Sequence, residues 1–156
     1  AQKPLTVIAA LGPKMLELAR ALADGSHPFS TTPAHTAMAR AILGPGKLLL
    51  VEQKVMFETD PEVARAAGRG IVSGLAGIPN YRRSFLRMDF TEADLADGGS
   101  DRAADALLAW GDVSAIRSRI EEHLDAGADQ VAIQVVSKSG ALMSADDEKI
   151  LELLAP

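Results

Sequence analysis

The chain has 156 residues, 47% of them hydrophobic, which is enough to bury one core and sets a single domain as the expectation. A net charge of −5, without any basic run, counts against nucleic acid as the main partner. The absence of cysteine excludes disulfides and thiolate metal sites and fits a cytoplasmic location, and no apolar stretch approaches the ~18 residues of a membrane span.

In chain order, Leu5 to Ala10 is an apolar run with a β-branched centre, which suits a strand buried on both faces. Gly12-Pro13 breaks it, and Met15, Leu16, Ala19 and Leu22 then recur at helical spacing. Strand, tight turn and helix in this order aim backbone N–H groups and the positive end of the helix dipole at whatever lies above the strand. Gly12 would let a phosphate come close to the backbone; an ordinary turn that binds nothing fits the same residues.

After Asp24-Gly25, His27 to Thr32 reads as a short second strand, and Thr32-Pro33 opens a helix running to Leu43. Leu48 to Phe57 is the third strand, with an irregular middle expected at Glu52-Gln53. Thr59-Asp60-Pro61-Glu62 starts a helix to about Leu75, in which Gly68, Gly70 and Gly74 permit close packing. From Ile78 to Trp110 the rhythm loosens into a helix from Pro79 through Met88, a capped turn at Thr91 to Leu95, a loop at Asp97 to Ser100 and a helix over Asp101 to Trp110. Asp112 caps a helix whose apolar stripe is Val113, Ile116, Ile120 and Leu124; Gln130 to Val136 is the fourth strand, and Ser144 caps a last helix. Strands alternating with helices imply a parallel α/β sheet, open or closed. Four such units are half of a (β/α)8 barrel, which typically needs ~250 residues.

Taken together, Thr6 to Ala19, Asp24-Gly-Ser-His-Pro-Phe29, Thr32-Pro-Ala-His35, Ile42-Leu-Gly-Pro-Gly46, Glu58-Thr-Asp-Pro61, Gly111-Asp-Val113 and Ala126 to Ile133 resemble the luciferase-like monooxygenase superfamily, and within it the coenzyme F420-dependent oxidoreductases. The resemblance implies the C-terminal half, strands five to eight, of a (β/α)8 TIM barrel, as one domain over residues 1–156 with a helical insertion at about 78–110. It implies an enzyme that moves a hydride between F420 and an organic substrate, with FMN, as in the luciferases, as the alternative cofactor. The family's N-terminal half supplies much of the ring pocket and has no counterpart here, so the chain is expected to be a portion of a longer one. It is expected either to form a homo-oligomer or to bind its missing half. A non-catalytic half-barrel that serves binding or assembly is the alternative from another class.

By the same resemblance, the turn Ala10, Leu11, Gly12, Pro13, Lys14 and Met15 binds the cofactor phosphate, with the N–H groups of Leu11, Gly12, Lys14 and Met15 as donors because proline has none. His27 is a catalytic candidate at the rim where barrel active sites are built, and Ser30, Thr31 and Thr32 beside it are substrate-binding candidates. His35, in the first turn of a helix, and His123, on the polar side of the Asp112–Gly127 helix, carry no role, and no spacing of the three histidines suits a metal. Glu52 and Lys54 need partners if buried, either facing the cofactor or paired structurally. Asp125, Asp129, Glu121 and Glu122 read as solvated charges, and the methionines, Met143 among them, as core fillers.

Overall fold

The computed structural model describes residues 4–138 and 144–155; Met143 and the first three residues lie outside that range. Among the described residues, five strands and eight helices follow one another. They are β1 (Val7–Ile8), α1 (Pro13–Leu22), β2 (Gly25–Ser26), α2 (Pro33–Leu43), β3 (Leu48–Phe57), α3 (Pro61–Ala76), α4 (Pro79–Arg87), α5 (Glu92–Leu95), α6 (Asp101–Leu107), β4 (Leu108–Gly111), α7 (Val113–Asp125), β5 (Gln130–Val135) and α8 (Ala145–Leu154).

All strand pairings are parallel. β3 is the centre, because β2, β4 and β5 all pair with it. Lys54 and Val55 pair with both β4 and β5, which therefore lie on opposite edges of β3. The N–H groups of Leu48 and Glu52 reach Asp24 O and Pro28 O, whereas Asp129 N–H reaches Leu49 O on the other edge. So β2 and β4 share one edge of β3, with β4 beyond the end of β2. Leaving β4 aside, the order β1-β2-β3-β5 is the sequence order expected of consecutive βα units. The sheet ends on β1 and β5 and does not close.

Side chains alternate across a strand, and on β3 the alternation sorts the molecule into two faces. Leu49 and Val51 pack with Leu16, Ala19, Ala39 and Leu43 of α1 and α2, and Val55 packs with Ile116, Ile150 and Leu154 of α7 and α8. These four helices therefore cover one face. Glu52, Lys54 and Met56 point to the opposite face, the one that would be the inside of a barrel. A separate cluster built on Val72, Phe85, Phe90 and Leu107 joins α3 to α6.

Several expectations need correction. The first strand is only Val7–Ile8, half-buried, and Leu5 is exposed. On α1, Leu16 and Ala19 are buried but Met15 and Leu22 face solvent, the latter 77% exposed. The second strand is Gly25–Ser26, not residues 27–32, which form the loop leading to α2. Gly25 is at home there because a Cβ would lie 2.4 Å from Leu48 O of the neighbouring strand. β3 is unbroken at Glu52-Gln53, where both residues pair with β5. Leu108 to Trp110 belong to a strand and not to the preceding helix, since α6 ends at Leu107. Leu124 is exposed, and His123, one position earlier on α7, is fully buried in its stead. Of the α3 glycines, Gly68 is the close contact, with a Cβ falling 2.7 Å from Ala104 Cβ of α6.

Candidate functional site

The turn between β1 and α1 is built by its proline and its carbonyls. Pro13 occupies the first helical position, and Gly12 is the N-cap in an extended conformation. Met15 and Leu16 N–H both donate to Gly12 O at 3.0 Å. Met15 N–H, one of the four expected donors, is thus used inside the turn. Leu11 O accepts from His35 Nε2 at 3.0 Å and from Arg87 Nη2 at 3.4 Å. A carbonyl can only accept, so the proton of neutral His35 sits on Nε2. Burial pushes the pKa of His35 down, the bond to Leu11 opposes this, and the charge of Arg87 adds to the lowering. The Leu11–Gly12 peptide is trans, so with Leu11 O held toward α2 the Gly12 N–H must point the opposite way. His35 is itself buried, being 2% exposed.

A cleft of about 290 Å3 opens over this turn, at the C-terminal ends of the first strands, with Gly12, His27, Phe29, Tyr81, Arg83 and Arg87 in its lining. Arg83 and Arg87 stand one turn apart on α4, which brings two guanidinium groups to the mouth of the turn. A Cβ at Gly12 would lie 3.3 Å from Arg87 Nη2, so the backbone and the guanidinium approach one small space from two sides. Neither arginine was a candidate from sequence. Their spacing is visible there, but the turn they face lies some 70 residues earlier and only the fold joins them. His27 Nδ1 donates to Leu50 O at 2.7 Å, leaving Nε2 as the acceptor of the neutral ring. Phe29 meets Tyr81 edge-on at 6.1 Å.

Ser30, Thr31 and Thr32 follow in the loop to α2. Ser30 is buried with φ 53, in the left-handed region. Its N–H donates to Glu52 Oε2 at 2.9 Å, and its Oγ accepts from Lys54 Nζ at 2.7 Å. Lys54 also donates to Glu52 Oε1 at 3.0 Å and lies 3.7 Å over the Phe29 ring. Burial lowers the pKa of Lys54, while the adjacent Glu52 charge opposes the shift. Thr31 is 2% exposed, and its Oγ1 has no hydrogen-bond partner among the described residues. Thr32 caps α2, accepting from His35 N–H.

On the helix-covered face, His123 ties three elements together. Gln53 Nε2 donates to Lys54 O and Leu107 O, so its Oε1 must accept from His123 Nε2, at 2.9 Å. His123 Nδ1 then accepts from the Thr36 hydroxyl at 2.8 Å. Burial, with smaller contributions from Arg119 and His35, lowers the pKa of His123 to about 4. Asp129 is likewise not a merely solvated charge: it accepts from Arg40 at 2.6 Å and from Leu49 N–H at 2.8 Å. Among the described residues no three His, Asp or Glu side chains come together in a way that could hold a metal ion, and no helix is long and apolar enough to cross a membrane.

An open half-barrel of parallel βα units, with a basic and aromatic cleft at its strand ends, is what the fold and the cleft define. Several solved structures have a similar fold. One is a coenzyme F420-dependent tetrahydromethanopterin reductase from Methanopyrus kandleri, with TM-score 0.63 and 20% identity over 95% of this chain and 48% of that one. Another is an F420-dependent secondary alcohol dehydrogenase in complex with an F420-acetone adduct, with TM-score 0.64 and 12% identity over 99% of this chain and 50% of that one. A third is an EDTA monooxygenase from Chelativorans sp. BNC1, with TM-score 0.60 and 17% identity over 97% and 43%. The chain thus spans about half the length of these structures. No family model matches the sequence, and neither does any curated protein.

Proposed function

We propose that this chain is the C-terminal portion of an F420-dependent oxidoreductase that moves a hydride between the deazaflavin and an organic substrate, the whole of residues 1–156 forming one half-barrel domain. The observation that carries the reading is the convergence on one cleft of the Gly12 backbone, Arg83 and Arg87. An F420 phosphodiester is anionic and suits bidentate cations, which Arg83 and Arg87 supply at the cleft beside the turn. Arg83 and Arg87 would hold the phosphate, and Ala10, Leu11, Gly12, Pro13, Lys14 and Met15 form the turn beside it. When bound, the deazaflavin supplies the hydride acceptor or donor. His27, whose Nε2 has a free lone pair in the neutral ring, is placed to take or return the proton of a substrate hydroxyl at the rim. Thr31, with its unpaired buried hydroxyl, is the candidate for a substrate hydrogen bond, and Ser30 and Thr32 position it.

FMN is the second reading, favoured by the monooxygenase among the similar structures; its phosphate would use the same turn. A fluorescence titration separates the two. F420 is expected to bind more tightly than FMN, with Arg87→Met weakening it about 10–100-fold, the loss of a charge-assisted hydrogen bond. Gly12→Val should weaken it at least as much, because the side chain would occupy the space beside Arg87; the φ of −122 suits any residue, so the fold is kept. Lys14→Ala, removing an exposed charge, should cost less than about ten-fold. Unchanged affinity in folded Gly12→Val would make the turn structural.

A further inference from the structure

We propose that the Glu52–Lys54 pair is a clamp that holds Ser30 in the left-handed conformation, and through it shapes the Phe29–Thr32 loop for its ligand. The inference rests on the reading of that loop as substrate-binding. Glu52 and Lys54 are two residues apart on β3 and so project from the same face. Both reach the same residue across the strand gap. Glu52 Oε2 takes the Ser30 N–H at 2.9 Å, and Lys54 Nζ gives to Ser30 Oγ at 2.7 Å. Left alone, serine avoids a φ of 53, and such a conformation persists only where its surroundings over-determine it.

The pair is joined to itself and to Ser30. Glu52 Oε1 is occupied by Lys54, Oε2 by Ser30, and the ammonium has Glu52, Ser30 and the Phe29 ring around it. Both groups are buried, Glu52 4% and Lys54 7% exposed, and they bond to each other and to Ser30. Global stability is not a sufficient reason for the pair, because a buried ion pair is often matched or bettered by apolar residues of similar size. What it does hold is local. Phe29 lines the cleft, Thr31 carries the unpartnered hydroxyl, and Thr32 caps α2. The hold on Ser30 sits in the middle of these three.

The test is made on this chain without any ligand, from the Ser30 amide exchange rate, the Ser30 Cα and Cβ chemical shifts and the urea midpoint. Glu52→Gln and Lys54→Met should each speed Ser30 exchange by at least about ten-fold and move its carbon shifts out of the left-handed range. Adding Ser30→Gly to Glu52→Gln should return the Phe29 and Thr31 signals to their original positions, because glycine takes this φ without help. The double variant Glu52→Leu/Lys54→Met, which leaves no unpaired buried charge, should keep the urea midpoint while losing the Ser30 signature. Unchanged Ser30 signals in both single variants would overturn the clamp. So would a double variant with a lowered midpoint and an intact loop, which would make the pair a general brace. Turnover of F420 that is indifferent to Thr31→Val would remove the substrate reading and leave the Ser30 signals as they are.

Discussion

At the scale of single residues, the two buried histidines carry the clearest consequences. His123 is neutral in the fold, with its pKa lowered to about 4 from an ordinary 6.5. The unfolded chain therefore takes up a proton that the folded chain refuses between those values, so this contribution is complete above pH 6.5 and is lost as the pH falls toward 4. The loss should be on the order of 3 kcal/mol, read as a falling urea midpoint, and His123→Gln should flatten the slope in that window. His35, lowered in the same direction by burial, acts in the same sense. Thr31→Val makes a second prediction. Replacing an unsatisfied buried hydroxyl by a methyl should raise stability by about 1 kcal/mol in a thermal melt, while F420-dependent turnover falls if the hydroxyl serves the substrate. In the sequence His35 and His123 look ordinary because each stands among polar or small neighbours. What buries them is the packing of α2 and α7 on β3, which no local pattern records. The Gly12 turn, in contrast, was legible, because Gly-Pro after a strand and before a helix has few other conformations.

At the scale of elements, α3 and α6 offer a controlled pair. Gly68→Ala gains helix propensity but drives a methyl to 2.7 Å from Ala104 Cβ, so overpacking should win and cost about 1–3 kcal/mol. Gly70→Ala, one turn-half away with nothing within 4 Å, should stabilise by about 0.5–1 kcal/mol. Denaturant unfolding of the two variants gives opposite signs if α6 is seated as described. Helices with capping signals were readable: Thr32-Pro33, Asp60-Pro61, Thr91, Asp112 and Ser144 all cap as their side chains suggest. β4 was not, since Leu108-Ala-Trp-Gly prolongs an alanine-rich helix without a break. Its strand character comes from pairing with Lys54 to Phe57. β2 slipped for a related reason: two residues make no periodicity, and the β-prone Phe29 to Thr32 next to them form a loop because Glu52 and Lys54 hold Ser30.

At the scale of the whole molecule, a sheet of parallel units that ends on β1 and β5 leaves two outer strand edges without a strand partner among the described residues. We expect such a chain to associate, with a second copy or with the complementary half of a barrel. Sedimentation at micromolar concentration should show a species larger than 16.4 kDa; a compact monomer would count against the expectation. The alternation of strands and helices made this architecture readable from sequence, because each βα unit carries its own punctuation. The placement of β4 on the edge already used by β2 was not readable, since it depends on β2 being short.

That shared strand also sets a timetable for folding. β3 pairs with a segment about twenty residues before it and, at Leu50↔Gln130, with one eighty residues after it. Until residue 135 has left the ribosome, one edge of the ten-residue, largely apolar strand β3 has no partner. Contacts this distant in sequence form slowly, and an unpaired apolar edge invites pairing with other chains in the interval. Nascent chains halted near residue 125 should therefore be far more aggregation-prone than the finished protein, although β3 itself is complete in both.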